Sequence, residues 1–401
     1  MKEKQTGRFS VFLVVAAVCL VYALGGGIRS NYGLMRSAIA GASGVDYAGI
    51  SFVLAAAQLA FGIMQPMFGA AALKTSNVFV LLCGAAMAAL GLVLTPLCRG
   101  TWALLLCFGI LMPAGLGAFS FGLIMGAVTP LLGEKRASAV SGVINASSGL
   151  GSILLALLLR GVLDSFGLWG AVVALCLPLA CLMPVLLLLR RADATQTERT
   201  PPLLRPLLRE AFHDRSYRLL SLAFFTCGFH MAIIYTHLYT QFTTYGFSEQ
   251  NVTYAFSIYG IATMAGSVVS GYLGSRFSMK KVLGCFYGSR AVWTAGFLLL
   301  PKSPVSMYAF AILLGFTGMA TVPPTSGLIG RRFGAAALGT LFGVAFLFHQ
   351  VGSFVSAWIG GLTVSATGGY TLIWCIDAAL CIAAAVFAFR VRLPAKAVCK
   401  E

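Results

Sequence analysis

Four charged residues stand inside long apolar stretches of this chain, where a charge is costly to hold. Three are arginines, Arg29, Arg36 and Arg290, and the fourth, Asp377, is the one acid clearly placed within such a stretch. Charged side chains in apolar segments normally face a protein interior or a watery cavity, where they bind a ligand or a partner charge. These four residues are therefore the first candidates for chemistry.

Arg29, Tyr32 and Arg36 are spaced three and then four residues apart, which places them on one face of a helix. Two arginines on one face would attract an anion, so we predict that all three residues bind substrate. Two alternatives stay open. Arg36 could reach the membrane surface from the end of its segment, and Arg29 could bond carbonyls that the glycines at 25–27 leave free.

Two histidines, His230 and His237, form a second candidate pair with a spacing of seven residues. A shift of 201 residues places Arg29 on His230 and Arg36 on His237. Histidine titrates near neutral pH, and a bound anion would favour its charged form. We predict that both histidines bind substrate and couple proton movement to it, although hydrogen-bonded packing is an alternative for each.

Further polar residues in apolar stretches complete the predicted substrate site: Asn145, His349 and Gln350. Polar side chains also hold membrane helices together, so each of these signals is weak when taken alone. For Arg290 and Asp377 we predict a structural ion pair, because each is a buried charge that needs an opposite one. Substrate binding is the alternative for that pair.

The elements that must position these residues are twelve apolar stretches, each long enough for the roughly 20 residues of a membrane crossing. The chain is 59% hydrophobic and 10% charged, with a mean hydropathy of +0.90. The backbone has no water to bond inside a bilayer, so the stretches should be helices. They are residues 9–38, 47–72, 76–97, 101–131, 136–163, 167–190, 218–243, 250–274, 281–300, 305–330, 336–364 and 370–390.

The net charge of +17 follows the topology of these crossings rather than indicating nucleic acid. If the N-terminus is cytoplasmic, 22 of the 28 lysines and arginines fall on the cytoplasmic side, and only Arg99, Arg160 and Lys302 fall outside. This asymmetry is the positive-inside pattern. It predicts a multi-pass membrane protein with both termini in the cytoplasm.

The longest polar segment divides the twelve crossings into six and six. We predict an N-terminal six-helix bundle over 1–189, a cytoplasmic linker over 190–217 and a C-terminal six-helix bundle over 218–401. The shift of 201 residues also aligns Ser141–Ser152 with Phe342–Ser353 at two glycines, a valine and a serine. Such parallel repeats predict an all-α membrane protein built from two pseudo-symmetric bundles.

Four stretches carry a family resemblance: Ser30–Arg36, Gln65–Gly69, Cys227–Leu238 and Leu338–Ser353. In these the chain resembles the major facilitator superfamily, and within it the bacterial branch related to monocarboxylate transporters. The resemblance implies a central cavity lined by the first, fourth, seventh and tenth crossings. It also implies a role in anion attraction for Arg36, because animal monocarboxylate transporters carry a lysine near that position.

The chain departs from the family pattern in two places. The loop after the second crossing, Gly69–Lys74, lacks the usual acid. The stretch Gly260–Ser267 lacks the aspartate and arginine with which animal monocarboxylate transporters bind substrate and proton. A proton-coupled lactate mechanism therefore does not follow from the resemblance.

Together with the resemblance, these features predict a secondary transporter of a bacterial-type inner membrane that moves a small organic anion, a monocarboxylate, by alternating access, with proton coupling left open. The alternatives are an exporter of neutral or amphiphilic compounds and a membrane sensor of the same fold. The 11 cysteines show no zinc spacing, and no phosphate-binding loop or nucleophile–base set occurs. We therefore expect no enzyme activity, metal or cofactor. The expected partners are the anion, protons and the bilayer, and the expected state is a monomer.

Overall fold

The computed structural model describes residues 2–194 and 204–392, and these residues form helices joined by short turns. We number the membrane crossings as spans 1 to 12. The helices of the first half are span 1, Lys2–Ser30, followed by a short helix Arg36–Ser43; span 2, Tyr47–Lys74; span 3, Asn77–Leu94; and the start of span 4, Gly100–Leu104 and Met112–Leu116, with a π-helical segment Leu105–Leu111 between them.

One continuous helical run, Phe121–Ala194, supplies the rest of the first half. It is interrupted at Gly133 and Gly167, whose φ angles of 70° and 61° lie outside the α-helical region. Glycine adopts such angles without steric cost, so the run divides into the end of span 4 (121–132), span 5 (134–166) and span 6 (168–194).

Among the described residues, eleven helices are long and apolar enough to cross a membrane. One of them, Arg136–Leu182, has 47 residues, about twice the roughly 20 that one crossing needs. Because Gly167 breaks it near the middle, this helix supplies spans 5 and 6. The all-helical membrane fold with twelve crossings is confirmed.

The second half begins with a short helix, Leu204–His213, and its first crossing starts where Asp214 accepts a bond from Tyr217 N at 2.7 Å. Residues 195–203 of the predicted linker lie outside the described residues, as do 393–401. The remaining helices are span 7, Arg215–Ile233, Ile234–Leu238 (π-helical) and Tyr239–Thr244; span 8, Glu249–Arg276; span 9, Met279–Leu299; span 10, Pro304–Gly318 and Val322–Phe333; span 11, Ala335–Thr367; and span 12, Thr371–Arg390.

Equivalent spans pack alike in the two halves. Span 1 packs on span 5 through Gly26 and Ser148, while span 7 packs on span 11 through Gly228 and His349. Span 2 packs on span 4 as span 8 does on span 10. This repeated packing gives the two pseudo-symmetric bundles that the sequence repeat predicts, although their limits at 189 and 218 stay a prediction.

The two halves touch at one end of the molecule. We call this end the linker side, because spans 6 and 7 are joined there. Gly69 of span 2 lies against Gly339 of span 11, and Gly142 of span 5 lies against Gly271 of span 8. Among the described residues, spans 2 and 5 of the first half contact spans 8 and 11 of the second half along the linker-side part of these helices, as far as their middle. The space between the halves is therefore closed on the linker side and opens toward the opposite side.

Candidate functional site: a central cavity and a buried polar cluster

Arg29 reaches into the space between the halves from the end of span 1. Its guanidinium lies 4.7 Å from the ring centre of Phe61 on span 2, and its Nη1 lies 3.5 Å from Oε1 of Gln58. Arg29 is half-buried and Gln58 is exposed. An arginine over an aromatic face gains electrostatic stabilisation, but the ring leaves its charge uncompensated.

Span 11 forms the facing wall. The ring of Phe346 lies 5.9 Å from that of Phe61 and stacks on His349 at 4.9 Å. Gln350 Nε2 donates to Gln58 O at 3.0 Å, and its Oε1 lies 3.3 Å from His349 Nδ1. The structure thus brings three predicted site residues, Arg29, His349 and Gln350, to one place.

Tyr235 of span 7 completes this site, and the sequence did not indicate it. Its side chain is 65% exposed, and it interacts with Arg29 and Tyr259, so it faces the space between the halves. It stands in the π-helical turn Ile234–Leu238, a geometry that often marks functional sites. We call the following residues the central cavity: Arg29, Gln58, Phe61, Tyr235, Phe346, His349 and Gln350.

The predicted stripe of Arg29, Tyr32 and Arg36 does not form, because span 1 ends at Ser30. The Asn31 amide donates to Gly27 O at 2.8 Å and to Ser152 O at 3.0 Å, and a 3₁₀ turn, Tyr32–Met35, follows. Tyr32 is buried against Phe108 with ring centres 5.5 Å apart, inside the first half. Arg36 is half-buried and begins the short helix Arg36–Ser43.

Asn145 lies between the halves rather than lining the cavity freely. It is buried, and its amide donates to Ser267 Oγ at 2.8 Å and to Met319 O at 3.2 Å, both in the second half. His237 lies inside the second half, against Gly360 of span 11 and 6.4 Å from the ring of Tyr370. These two predicted site residues are thus separated from Arg29 in the conformation described.

His230 does not face Arg29 across the cavity. It is fully buried, its Nδ1 lies 2.8 Å from Asp377 Oδ2, and its ring lies 6.2 Å from Trp374. The reason lies in the repeat. His349 packs on Gly228 as Ser148 packs on Gly26. Ser148 and His349 are 201 residues apart, so spans 5 and 11 are related by the shift that the sequence suggested. Gly26 and Gly228 are 202 residues apart, so spans 1 and 7 are related by a shift one residue longer.

A shift of 202 makes His230 equivalent to Ile28, which is 2% exposed, rather than to Arg29. One residue rotates a side chain by about 100° around a helix. The predicted equivalence was therefore off by one residue, and that error moved His230 from a buried face to the cavity face.

The structure also does not form the predicted ion pair of Arg290 and Asp377. Arg290 is fully buried, and its Nη2 donates to Thr317 O at 2.7 Å and to Gly318 O at 2.6 Å. The first helix of span 10 ends at Gly318, which frees these carbonyls and puts the negative end of the helix dipole beside the guanidinium. Asp377 has His230 as its partner instead.

These residues form a second polar site inside the second half, which we call the buried polar cluster: Cys227, His230, Tyr287, Arg290, Asp377 and Cys381. Arg290 lies 5.2 Å from the ring centre of Tyr287 and 3.8 Å from Cys227 Sγ. His230 Nε2, Tyr287 Oη and two nitrogens of Arg290 have no hydrogen-bond partner in the structure described. Unpaired buried polar atoms are costly, so such a cluster needs an explanation.

Metal ligation is one chemistry that the cluster could support. Ligand atoms of His230, Asp377 and Cys381 lie within 4.8 Å of one another, and nitrogen, oxygen and sulfur donors suit zinc. Proton exchange is another, because a histidine paired with a carboxylate can bind one more proton. The sequence missed this grouping because the three residues come from spans 7 and 12, 147 positions apart at the His230–Asp377 bond.

Comparison with known proteins decides the family. The family model of the Major Facilitator Superfamily matches residues 18–252 and 240–400. The chain belongs to this superfamily. It is a membrane transporter, not an enzyme, and it carries the superfamily's fold.

Two relatives and one solved structure illustrate the similarity. Monocarboxylate transporter 12 of Xenopus laevis is 26% identical over 322 residues, which cover 72% of this chain and 68% of that protein. Monocarboxylate transporter 12-B of Danio rerio is 25% identical over 391 residues, covering 87% and 80%. The crystal structure of the E. coli fucose:proton symporter has a TM-score of 0.72 at 15% identity, covering 96% of this chain and 100% of that one.

Proposed function

We propose that this transporter moves a small monocarboxylate across the inner membrane by alternating access, and that Arg29 binds its carboxylate. The observation that carries the proposal is the charge of Arg29. Its polar neighbour in the cavity is the neutral amide of Gln58, and no acid in the described residues pairs with it. A carboxylate would supply the missing opposite charge through charge-assisted hydrogen bonds.

A single negative charge fits this cavity better than two. Arg29 is its one permanent charge, and the remaining walls are aromatic or amide side chains. A dicarboxylate would bring a second charge into an apolar surface without a partner for it, which is costly. Phe61, Phe346 and Tyr235 instead suit an apolar or aromatic substituent. The names of the relatives, which are monocarboxylate transporters, agree with this substrate class.

In the transport step, the closed end of the cavity would open and the open end would close. In the structure the halves touch on the linker side, where Gly142 meets Gly271, and the cavity opens at the other end. Rocking the halves about the bound anion would break these contacts and close the opposite end, as repeat-based transporters do. With the linker side in the cytoplasm, the structure represents the outward-open state of the cycle.

Replacing Arg29 with glutamine tests the proposal, because the amide keeps hydrogen bonding and removes the charge. Purified protein in liposomes would be assayed with a panel of labelled mono- and dicarboxylates, amines and sugars. We expect uptake of a monocarboxylate by the parent and a loss of at least about tenfold in Arg29→Gln, which corresponds to about 1.4 kcal/mol of binding or barrier energy. Arg29→Lys should keep part of the activity.

The matched control is Arg276→Gln. Arg276 is an exposed arginine 5.6 Å from the ring of Tyr272, outside the cavity, so its loss should leave uptake unchanged. Uptake by Arg29→Gln equal to that of the parent would contradict the assignment of Arg29. Transport of an amine in place of a carboxylate would contradict the substrate class.

A further inference from the structure

We propose that the His230–Asp377 pair is the proton-binding site of this transporter, and that Nε2 of His230 is the atom that takes and releases the proton. The inference rests on the proposed function, because it names the group that couples anion movement to a proton gradient. The site lies in the buried polar cluster and not in the central cavity where the anion binds.

The geometry of the pair leaves one position for a proton. His230 Nδ1 lies 2.8 Å from Asp377 Oδ2, so in the neutral histidine Nδ1–H donates to the carboxylate and Nε2 keeps a free lone pair. Nε2 is buried and has no hydrogen-bond partner among the residues described. A proton added there converts the pair to imidazolium and carboxylate, and no other bond forms or breaks.

The groups around the pair determine what that proton does to the charge of the cluster. Titratable or charged groups face the pair from several of the helices packed on it. They are Cys227 on span 7, Tyr287 and Arg290 on span 9, Cys381 on span 12 and, farther out, Tyr235 on span 7, Tyr259 on span 8 and His349 on span 11. Span 10 contributes carbonyls, which Arg290 binds. Without the added proton, the single charges of Arg290 and Asp377 sum to zero over the cluster, although each side chain has its own hydrogen-bond partner. With it, the cluster carries one net positive charge.

That added charge lies close to the anion site. Cys227 precedes His230 by three residues, a rise of about 4.5 Å along the helix. Its Sγ lies 3.1 Å from Thr321 Oγ1, and it interacts with His349, which lines the cavity. A proton on His230 therefore favours an anion in the cavity, and a bound anion favours the proton to the same extent, because linkage is reciprocal.

A proton fits this site better than a metal ion does. His230, Asp377 and Cys381 offer three ligand atoms, but the guanidinium of Arg290 adjoins the same cluster and has two nitrogens without acceptors. A divalent cation would add two positive charges beside a buried positive charge. The proton adds one, and Arg290 is already held by the carbonyls of span 10.

Transport tests the proposal in liposomes with an alkaline interior and labelled pyruvate as the probe. A one-unit pH gradient supports about tenfold accumulation when one proton moves with each anion. We expect such accumulation from the parent and none from Asp377→Asn or His230→Gln, while exchange of pyruvate at equal pH falls far less. The matched controls are Asp164→Asn and His213→Gln, which make the same chemical changes at exposed positions. Both variants should accumulate pyruvate as the parent does.

A second readout does not need the substrate. Trp374 lies 6.2 Å from His230 and is fully buried, and a protonated imidazole quenches a neighbouring indole. In a protein that keeps Trp374 and carries phenylalanine at Trp102, Trp169, Trp293 and Trp358, fluorescence should fall as pH is lowered. His230→Gln should abolish this fall. If Asp377→Asn does not fold, Asp377→Glu can replace it, because glutamate keeps the negative charge. Asp377→Glu should shift the pH at the midpoint of the fluorescence change.

The outcomes separate the two proposals. A fluorescence change that depends on His230, in a protein that moves no carboxylate, supports the proton site and overturns the substrate class. Gradient-driven accumulation by folded Asp377→Asn overturns the proton site and leaves the anion site intact. A pH response unchanged by His230→Gln also overturns it. The proton site is also overturned if the purified parent contains stoichiometric metal that Cys381→Ala loses, because His230 and Asp377 would then belong to a metal site.

Discussion

At the scale of single residues, the buried charges of this protein are compensated locally. Arg290 binds two carbonyls that a helix end leaves free, and Asp377 binds a histidine. Breaking either arrangement leaves buried polar groups unpaired, and each such group costs about 1–3 kcal/mol. The two charges therefore stabilise the second half through different partners, although they occupy the same cluster.

We predict that Arg290→Met lowers the stability of the protein by roughly 2–6 kcal/mol, because the carbonyls of Thr317 and Gly318 lose their donor. Methionine keeps the length and the apolar stem of the side chain. The measurement is thermal unfolding of the purified protein in detergent. Arg276→Met, at an exposed arginine, should change the melting temperature little.

Adding Asp377→Asn to Arg290→Met distinguishes local compensation from an ion pair. If the two charges compensated each other directly, the double variant would recover stability. We expect no recovery, because Asp377→Asn additionally disturbs the bond to His230. A melting temperature of the double variant above that of Arg290→Met would favour the ion pair that the sequence predicted.

The sequence indicated which residues lie in the two candidate sites better than it indicated their partners there. Arg29, His349 and Gln350 could be found because polar groups are rare in apolar stretches. The bond of His230 to Asp377 could not, since it depends on the rotation of span 7, and a one-residue error in the repeat alignment turns a helix by about 100°. Tyr235 gave no signal, because an exposed tyrosine is ordinary and the π turn that directs it has no sequence signature.

At the scale of helices, breaks determine where the functional groups stand. Pro323 and Pro324 disfavour one continuous helix through span 10, and the structure places the break just before them, between Gly318 and Val322. The end of span 1 at Ser30 was not predicted, because it depends on a bond from Asn31 to Ser152 of another span. Breaks set by the chain itself can be predicted, whereas breaks set by tertiary contacts cannot.

Helix contacts would also control the proposed conformational cycle. Gly142 approaches Gly271 so closely that a β-carbon at Gly142 would overlap the carbonyl oxygen of Ser267. We predict that Gly142→Ala disfavours the state closed on the linker side, by about 1.4 kcal/mol or more, and so shifts its population at least about tenfold. Spin labels at Thr75 and Phe277, in a background without other reactive cysteines, should report a longer distance across that side.

Gly161→Ala is the matched control for this prediction. It lies on the same span, and no atom stands within 4 Å of the β-carbon that it would add. Both substitutions raise helix propensity equally, so a difference between them reports the contact with the other half. An unchanged distance distribution in Gly142→Ala would show that these glycines do not limit closure.

At the scale of the whole molecule, the conformational state depends on which side of the membrane the linker occupies. The contacts between the halves lie on the linker side, so the structure is outward-open if the linker is cytoplasmic and inward-open if it is not. The charge count favours a cytoplasmic linker, with 22 of 28 basic residues on that side. The side of the membrane from which the proposed anion would reach Arg29 depends on the position of the linker.

Thiol labelling of intact cells determines on which side of the membrane the linker lies. We predict that a cysteine at Thr195, in the linker segment outside the described residues, is protected from a membrane-impermeant reagent. A cysteine at Pro301, beside Lys302 between spans 9 and 10, should react. Pro301 is exposed and preferable to Ser303, whose hydroxyl caps span 10 by accepting from Ser306 N at 3.2 Å. Labelling of Thr195→Cys from outside would reverse the topology, and the anion would then enter the described conformation from the cytoplasm.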